Sequence, residues 1–165
     1  MKKTNDNYAT AFAGESQANR KYLFFAEQAE KEGFANAARL FRATAEAETI
    51  HARHEFKGKG GIGTTAENLV TAKSGETYEF TEMYPPMIED AKAEGNNEAV
   101  RVFNYANEAE KVHARLFEEA LANLGNEPEG QDYYLCPICG FIHKGSEPSA
   151  NCPICGAKPS IFTKY

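Results

Sequence analysis

Three things are missing from this chain of 165 residues: an apolar run long enough to cross a membrane, an excess of basic residues, and any cysteine before position 136. The first absence excludes a membrane-spanning helix, which needs about 20 consecutive apolar residues. The opening stretch MKKTNDNYAT starts with two lysines but turns polar where a secretory signal would need an apolar core, so the sequence predicts a cytoplasmic location. A net charge of −6 argues against a nucleic-acid partner. That charge is uneven, because Asp132 to Tyr165 carries three lysines against one Asp and one Glu, a balance of +1 that leaves −7 for the rest. Bound cations can neutralise much of this acidic excess. The late cysteines fall in two close pairs, Cys136/Cys139 and Cys152/Cys155. A two-residue gap suits metal chelation better than a disulfide framework, so reduced thiolates are expected.

What the chain does have is an internal duplication. A Glu and a His three residues apart occur as Glu48/His51 and again as Glu110/His113, an interval of 113 − 51 = 62 residues. Reading Glu32 to Arg53 against Glu94 to Arg115, the same residue recurs at Glu32, Gly33, Ala37, Arg39, Phe41, Glu46, Ala47, Glu48, His51, Ala52 and Arg53, half of the window. On a helix, residues three apart share a face, so each copy aims a carboxylate and an imidazole at one point.

Four helical patterns precede position 130. Tyr8, Phe12, Glu15, Asn19, Tyr22, Ala26 and Ala29 alternate spacings of four and three, the seam of a bundle helix. Gly33 ends it, and a second helix runs through Phe34, Ala37, Phe41, Ala45, Glu48, His51 and Glu55. The Gly- and Thr-rich stretch from Lys57 to Gly75 is read as a long connection, with a short helical piece around Ala66 to Ala72. A third helix is expected from about Glu76, carrying Glu79, Glu82 and Met83 and kinked or broken at Pro85 and Pro86. The fourth holds Ala99, Phe103, Ala106, Glu110, His113, Phe117, Leu121 and Leu124 and stops near Gly125 and Pro128. The fold class expected is mainly α: a four-helix bundle over residues 1–130, then a small module with short β-strands over 131–165. The module is too small to bury a sufficient core, so a metal should stabilise it.

The inward polar residues of the bundle are Glu15, Glu48, His51, Glu79, Glu82, Glu110 and His113. One Glu from each of two helices plus a Glu-x-x-His from each of the other two is the ligand set of ferritin-like di-iron and di-manganese proteins, with Glu82 as an additional carboxylate. Any one of these residues alone reads equally well as part of a solvated helix face. Seven at core positions without cations would cost several kcal/mol per buried ion. Oxygen and imidazole donors without sulfur suit iron or manganese, and five carboxylates leave one negative charge spare against two divalent ions, which favours redox work on iron over hydrolysis. Tyr22 shares the face of Glu15, where its hydroxyl can support a ligand carboxylate; a core tyrosine is an equal reading. His54 and His143 are left out of the site.

In the tail, Cys136-Pro-Ile-Cys139-Gly140 recurs as Cys152-Pro-Ile-Cys155-Gly156. Two such knuckles close a tetrahedral thiolate site, and each Gly permits backbone amides to point at sulfur. A zinc ribbon uses the same pairs. The neighbouring redox site tips the reading to one iron in an Fe(Cys)4 centre, which passes single electrons as zinc cannot. Zinc can still substitute there.

These motifs, AFAGES around Glu15, EAETIHA around Glu48 and His51, GETYEFTEMYP around Glu79 and Glu82, EAEKVHA around Glu110 and His113, and two CPICG knuckles, resemble the rubrerythrin family from about Ala11 to the C terminus. The resemblance implies a ferritin-like four-helix bundle followed by a rubredoxin-like domain. It implies two irons on Glu15, Glu48, His51, Glu79, Glu82, Glu110 and His113, and a third on the four cysteines. The activity implied is a peroxidase that reduces hydrogen peroxide to water in oxidative-stress defence, with electrons from a rubredoxin or another donor, ultimately NADH. Glu82 and His51 would exchange as iron ligands with oxidation state. A homodimer is expected, head to tail or with helices exchanged. Relatives can carry a tyrosine five residues beyond the second carboxylate of helix three, a place read here as Met87. The alternatives are a ferroxidase of the iron-handling class and a non-enzymatic electron carrier.

Overall fold

In the computed structural model, which describes residues 3–126 and 129–165, the chain divides into two compact units, Met1–Gly63 and Thr64–Tyr165. The first is a hairpin of two helices, α1 (Lys3–Lys31) and α2 (Ala35–Gly58). Gly33 makes the turn with φ +83, and the Phe34 amide reaches back to the Ala29 carbonyl at 2.8 Å, satisfying a carbonyl left over at the end of α1. Small residues, Ala26, Ala29, Ala38 and Ala45, are buried along the seam and let the two rods approach closely. Asn19 locks them together, its amide donating to the Ala45 carbonyl at 2.7 Å and to Thr49 Oγ1 at 2.8 Å. Phe12 stacks on Phe56 with ring centroids 4.7 Å apart.

Helix α2 ends at Gly58 and α3 (Thr65–Tyr78) opens at Thr65, so the connection is Lys59 to Thr64, six residues. This corrects the expected long connection up to Gly75. The missed signal is a capping box: Thr64 accepts from the Glu67 amide, and the Glu67 carboxylate accepts from the Thr64 amide at 2.8 Å. Gly75 lies inside α3. The same rod then passes through a π-helical turn, Glu79–Met83, into α4 (Tyr84–Ala93). Pro85 and Pro86 have no amides to give to Thr81 and Glu82, and the Tyr84 amide instead reaches five residues back, to the Glu79 carbonyl. The break expected at the prolines is thus a widened turn just before them. After Gly95, α5 (Asn97–Ala122) starts on an Asn96 cap that accepts from the Ala99 amide at 3.1 Å; Pro128, the expected stop, lies outside the described residues.

The tail forms a three-stranded antiparallel sheet ordered β2-β1-β3, with β1 (Asp132–Leu135) central, β2 (Ile142–Gly145) paired Leu135 to Ile142, and β3 (Thr163–Lys164) paired Leu135 to Thr163. Its small core is Cys136, Cys139, Phe141 and Cys152, and Tyr105 and Val112 of α5 pack against it. The module therefore borrows apolar cover from the helix beside it.

Candidate metal centres

Three groups of metal-binding side chains form among the described residues: Glu15 with Glu48 and His51, Glu76 with Glu110 and His113, and the four cysteines, each group with its donor atoms within 4.8 Å of one another. The first belongs wholly to the α1/α2 hairpin. Helical spacing puts Glu48 and His51 on one face, and His51 Nδ1 lies 2.9 Å from Glu48 and 3.9 Å from Glu15. The carboxyl of Glu15 is held above its ordinary range by a hydrogen bond with Glu48, then by burial. One oxygen of Glu55, a turn beyond His51, is buried with no partner.

The second group is better enclosed. His113 Nδ1 stands 2.6 Å from Glu110 and 3.6 Å from Glu76, and the three side chains keep only 16%, 15% and 23% of their surface exposed. Burial, then the hydrogen bond and charge of Glu110, push Glu76 up to about 7. Glu110 goes the other way, its burial outweighed by hydrogen bonds from His113 and Glu76. Burial works against a charge on His113, yet its bonds to Glu110 and to the Gly140 carbonyl raise it above the usual imidazole value. That last bond is 2.9 Å long and uses Nε2. Beside the cluster, Glu76 and His113 border an apolar cleft of about 520 Å³ lined by Leu69, Leu116, Phe117, Ala120, Tyr133 and Ile142.

Glu76 joins a cluster that the sequence reading did not give it, and the expected ligand Glu82 is not brought into one. Glu82 is exposed and joins neither carboxylate cluster. Glu79 is half-buried, and burial followed by the charge of Glu110 raises its carboxyl. On this rod Glu76 thus stands within the cluster, while Glu79 stands outside it but within reach of the Glu110 charge. The signal was available: Leu69, Ala72, Glu76, Glu79 and Met83 continue the alternation of three and four, but a helix assumed to start at Glu76 hid it. Five residues beyond Glu79 is Tyr84, so a tyrosine does occupy the place assigned to Met87. Its hydroxyl is raised by burial and then by the charges of Glu79, Glu110 and Glu76. Tyr22 packs among Phe25 and Phe41, centroids 6.4 and 6.2 Å away.

The cysteine group is built by two equivalent knuckles. In each, the Gly amide bonds back to the first Cys carbonyl, Gly140 to Cys136 at 3.0 Å and Gly156 to Cys152 at 2.9 Å, with φ +81 and +75. Sulfurs pair across the knuckles at 3.6 and 3.4 Å. Burial raises the Cys139 thiol and would raise that of Cys152, but amides of Cys155 and Ile154 bring the latter below its ordinary value. Converging sulfurs supplied with amide donors are what a thiolate-bound metal requires. The carboxylate and imidazole groups fit a harder cation such as iron.

Comparison with known proteins agrees with this chemistry. The family model described as Rubrerythrin matches residues 6–61 and 53–121, and the one described as the rubredoxin-like domain of rubrerythrin matches residues 134–163. Nigerythrin of Nitratidesulfovibrio vulgaris is 40% identical, over 98% of this chain and 86% of that protein. Rubrerythrin-2 of Clostridium acetobutylicum is 37% identical, over 98% and 96%. A solved structure of nigerythrin in its fully reduced, all-ferrous state covers 98% of this chain and 86% of its own, with a TM-score of 0.60 at 40% identity.

Proposed function

The chain belongs to the rubrerythrin family, and on that premise we propose that it is a peroxidase, reducing hydrogen peroxide to water in defence against oxidative stress. Its fold class is mainly α and ferritin-like, with a rubredoxin-like tail, and its cofactors are a pair of irons and a further iron held by Cys136, Cys139, Cys152 and Cys155. In this reading the pair is held by Glu15, Glu48, His51, Glu76, Glu79, Glu110 and His113. The observation that carries the proposal is the pairing of two Glu-x-x-His clusters with a four-thiolate site that touches one of them through Gly140. When bound, the irons supply the two electrons that, with two protons, turn one hydrogen peroxide into two waters.

The chain's own groups do the rest. Tyr84, raised by its surroundings, keeps its proton at neutral pH and can donate a hydrogen bond toward oxygen at the cluster. The cleft beside Glu76 and His113 is apolar and offers water few hydrogen-bonding partners. His113 is 16% exposed and tied at both nitrogens, which would hold it in place, so the exchange of ligands that the family resemblance implies would fall on His51, with Glu79 rather than Glu82 as the carboxylate assigned to it. Electrons come from a rubredoxin or a similar protein donor, ultimately NADH.

The assembly in this reading is a homodimer, head to tail or with helices exchanged between its copies.

The test is anaerobic. The fully reduced, iron-loaded protein is mixed with stoichiometric hydrogen peroxide or dioxygen, following both iron chromophores. Fast reoxidation by peroxide and slow reaction with oxygen is expected. Faster reaction with oxygen, or repeated turnover of added ferrous ion without the cysteine module, would replace the proposal with a ferroxidase.

A further inference from the structure

We propose that the protein also reduces organic hydroperoxides, taking their hydrocarbon part into the apolar cleft bordered by Glu76 and His113. The inference rests on the peroxidase reading above and adds a second class of substrate at the same site.

The cleft is made by two helical stripes and one face of the sheet. On α5, Leu116, Phe117 and Ala120 lie three, four and seven residues beyond His113, so they share its side of the helix. On α3, Leu69 lies seven residues, two turns, before Glu76. Lys73 pairs with Glu118 at 2.5 Å, a turn away from the contact of Glu76 with His113, so α3 and α5 run antiparallel and the two stripes extend in the same direction from the cluster. Each stripe carries one metal-binding side chain and then about 10 Å of apolar rod. Tyr133 and Ile142 belong to one face of the sheet, because Ile142 pairs with Leu135 and Tyr133 is two residues from Leu135 on the same strand.

These walls select the guest. Glu76 and His113 mark the polar end, and every other lining residue is apolar apart from the hydroxyl of Tyr133. At about 520 Å³ the cleft lies within the range of about 300–1,000 Å³ usual for small-molecule sites. Water inside it finds few partners, which favours an apolar guest. Hydrogen peroxide has no carbon to place there, so this volume does nothing for its recognition. A fatty-acid anion would bring its carboxylate against those of Glu76 and Glu110, a meeting of like charges. An organic hydroperoxide, ROOH, is neutral, its O–H can donate to a carboxylate, and its hydrocarbon part suits the apolar remainder. The whole cleft belongs to the unit Thr64–Tyr165.

The reaction balances as ROOH with two electrons and two protons giving ROH and water. The O–O bond breaks; the oxygen bound to carbon leaves as the alcohol and the other as water, each gaining one proton from solvent. Both electrons come from the iron pair, which passes from two ferrous to two ferric ions.

Fully reduced, iron-loaded protein is mixed anaerobically with stoichiometric hydrogen peroxide, tert-butyl hydroperoxide or cumene hydroperoxide. Reoxidation by all three is expected, with one cumyl alcohol formed for each pair of irons oxidised. Reoxidation by hydrogen peroxide alone would overturn the inference and leave the peroxidase reading standing; reoxidation by none would remove both. Along the n-alkyl hydroperoxides from ethyl to hexyl, the rate constant should rise by up to about fourfold per methylene, the effect of burying one CH₂. A flat series would overturn the inference. Ala120→Phe, which fills the cleft two turns from His113, should slow cumene hydroperoxide roughly tenfold more than hydrogen peroxide at equal iron content; equal slowing of both would count against it. Binding is read separately, without turnover. Methyl NMR of the protein with zinc on the cysteines and bare carboxylates, titrated with cumyl alcohol, should show saturable shifts at Leu69, Leu116 and Ile142. Shifts shared equally by the exposed Leu40 and Ile50, or none at all, as a second copy seated in the cleft would give, would overturn it.

Discussion

Stripped of metal at its carboxylates but kept folded by zinc on its cysteines, the protein should become more stable on mild acidification. The effect is read from Glu76, whose carboxyl is raised from 4.5 to about 7. A carboxyl raised on folding contributes stability fully present below 4.5 and lost as pH climbs through about 7. Glu79 shifts the same way, and so does His113, whose contribution persists below 6.5 and fades above its raised value. Glu110 is lowered, so what it adds is lost only below 4.5, outside the window. At about 1.4 kcal/mol per unit, the shift of Glu76 corresponds to about 3 kcal/mol. Its side chain retains 23% exposure and its proton is shared with Glu110, so about 2 kcal/mol is the better expectation. For a unit of 165 − 63 = 102 residues, that is on the order of 10 °C. Circular dichroism melts at pH 5.0 and 7.5 measure it, and Glu76→Gln should flatten the difference. A melting temperature that rises with pH in the unaltered protein, or a variant that keeps the full dependence, would refute this account. Iron at the carboxylates should reverse the sign, because metal displaces the same protons.

Glu76→Ala should abolish loading of the iron pair, whereas Glu82→Ala should bind two irons normally; elemental analysis after reconstitution separates them. Removing metal from the cysteines should unfold the sheet of residues 132–164, seen as lost amide protection there while α1 and α2 stay protected. Refilling the site with zinc should restore that protection but not the peroxide turnover.

Much of this was legible in the sequence because it is local. The seams of α1, α2 and α5 repeat every three or four residues, and each Glu-x-x-His pair needs only one helix to bring its members together. The cysteine knuckles likewise depend on short-range turns that Gly140 and Gly156 permit. The start of α3 was misread because glycines in KGKGGIG and at Gly75 outweighed a capping box two residues long in its contacts. That one boundary displaced the carboxylates from the proposed Glu76 and Glu79 to Glu79 and Glu82, and with them the tyrosine from Tyr84 to Met87. The bond from His113 to Gly140 spans 140 − 113 = 27 residues, and no periodicity announces such a meeting.

The widened turn at Glu79–Met83 has a mechanical consequence. The carbonyls of Thr81 and Glu82 face Pro85 and Pro86, which cannot bond to them, while Thr77 and Thr81 spend their hydroxyls on the carbonyls of Lys73 and Thr77 at 2.7 Å each. Regular α-helical bonding thus runs through Glu76 and widens in the turn that begins at Glu79. Glu76 thus projects from an ordinary helical turn and Glu79 from the first residue of a wider one, so the two carboxylates leave the rod at a spacing that an unbroken α-helix would not give.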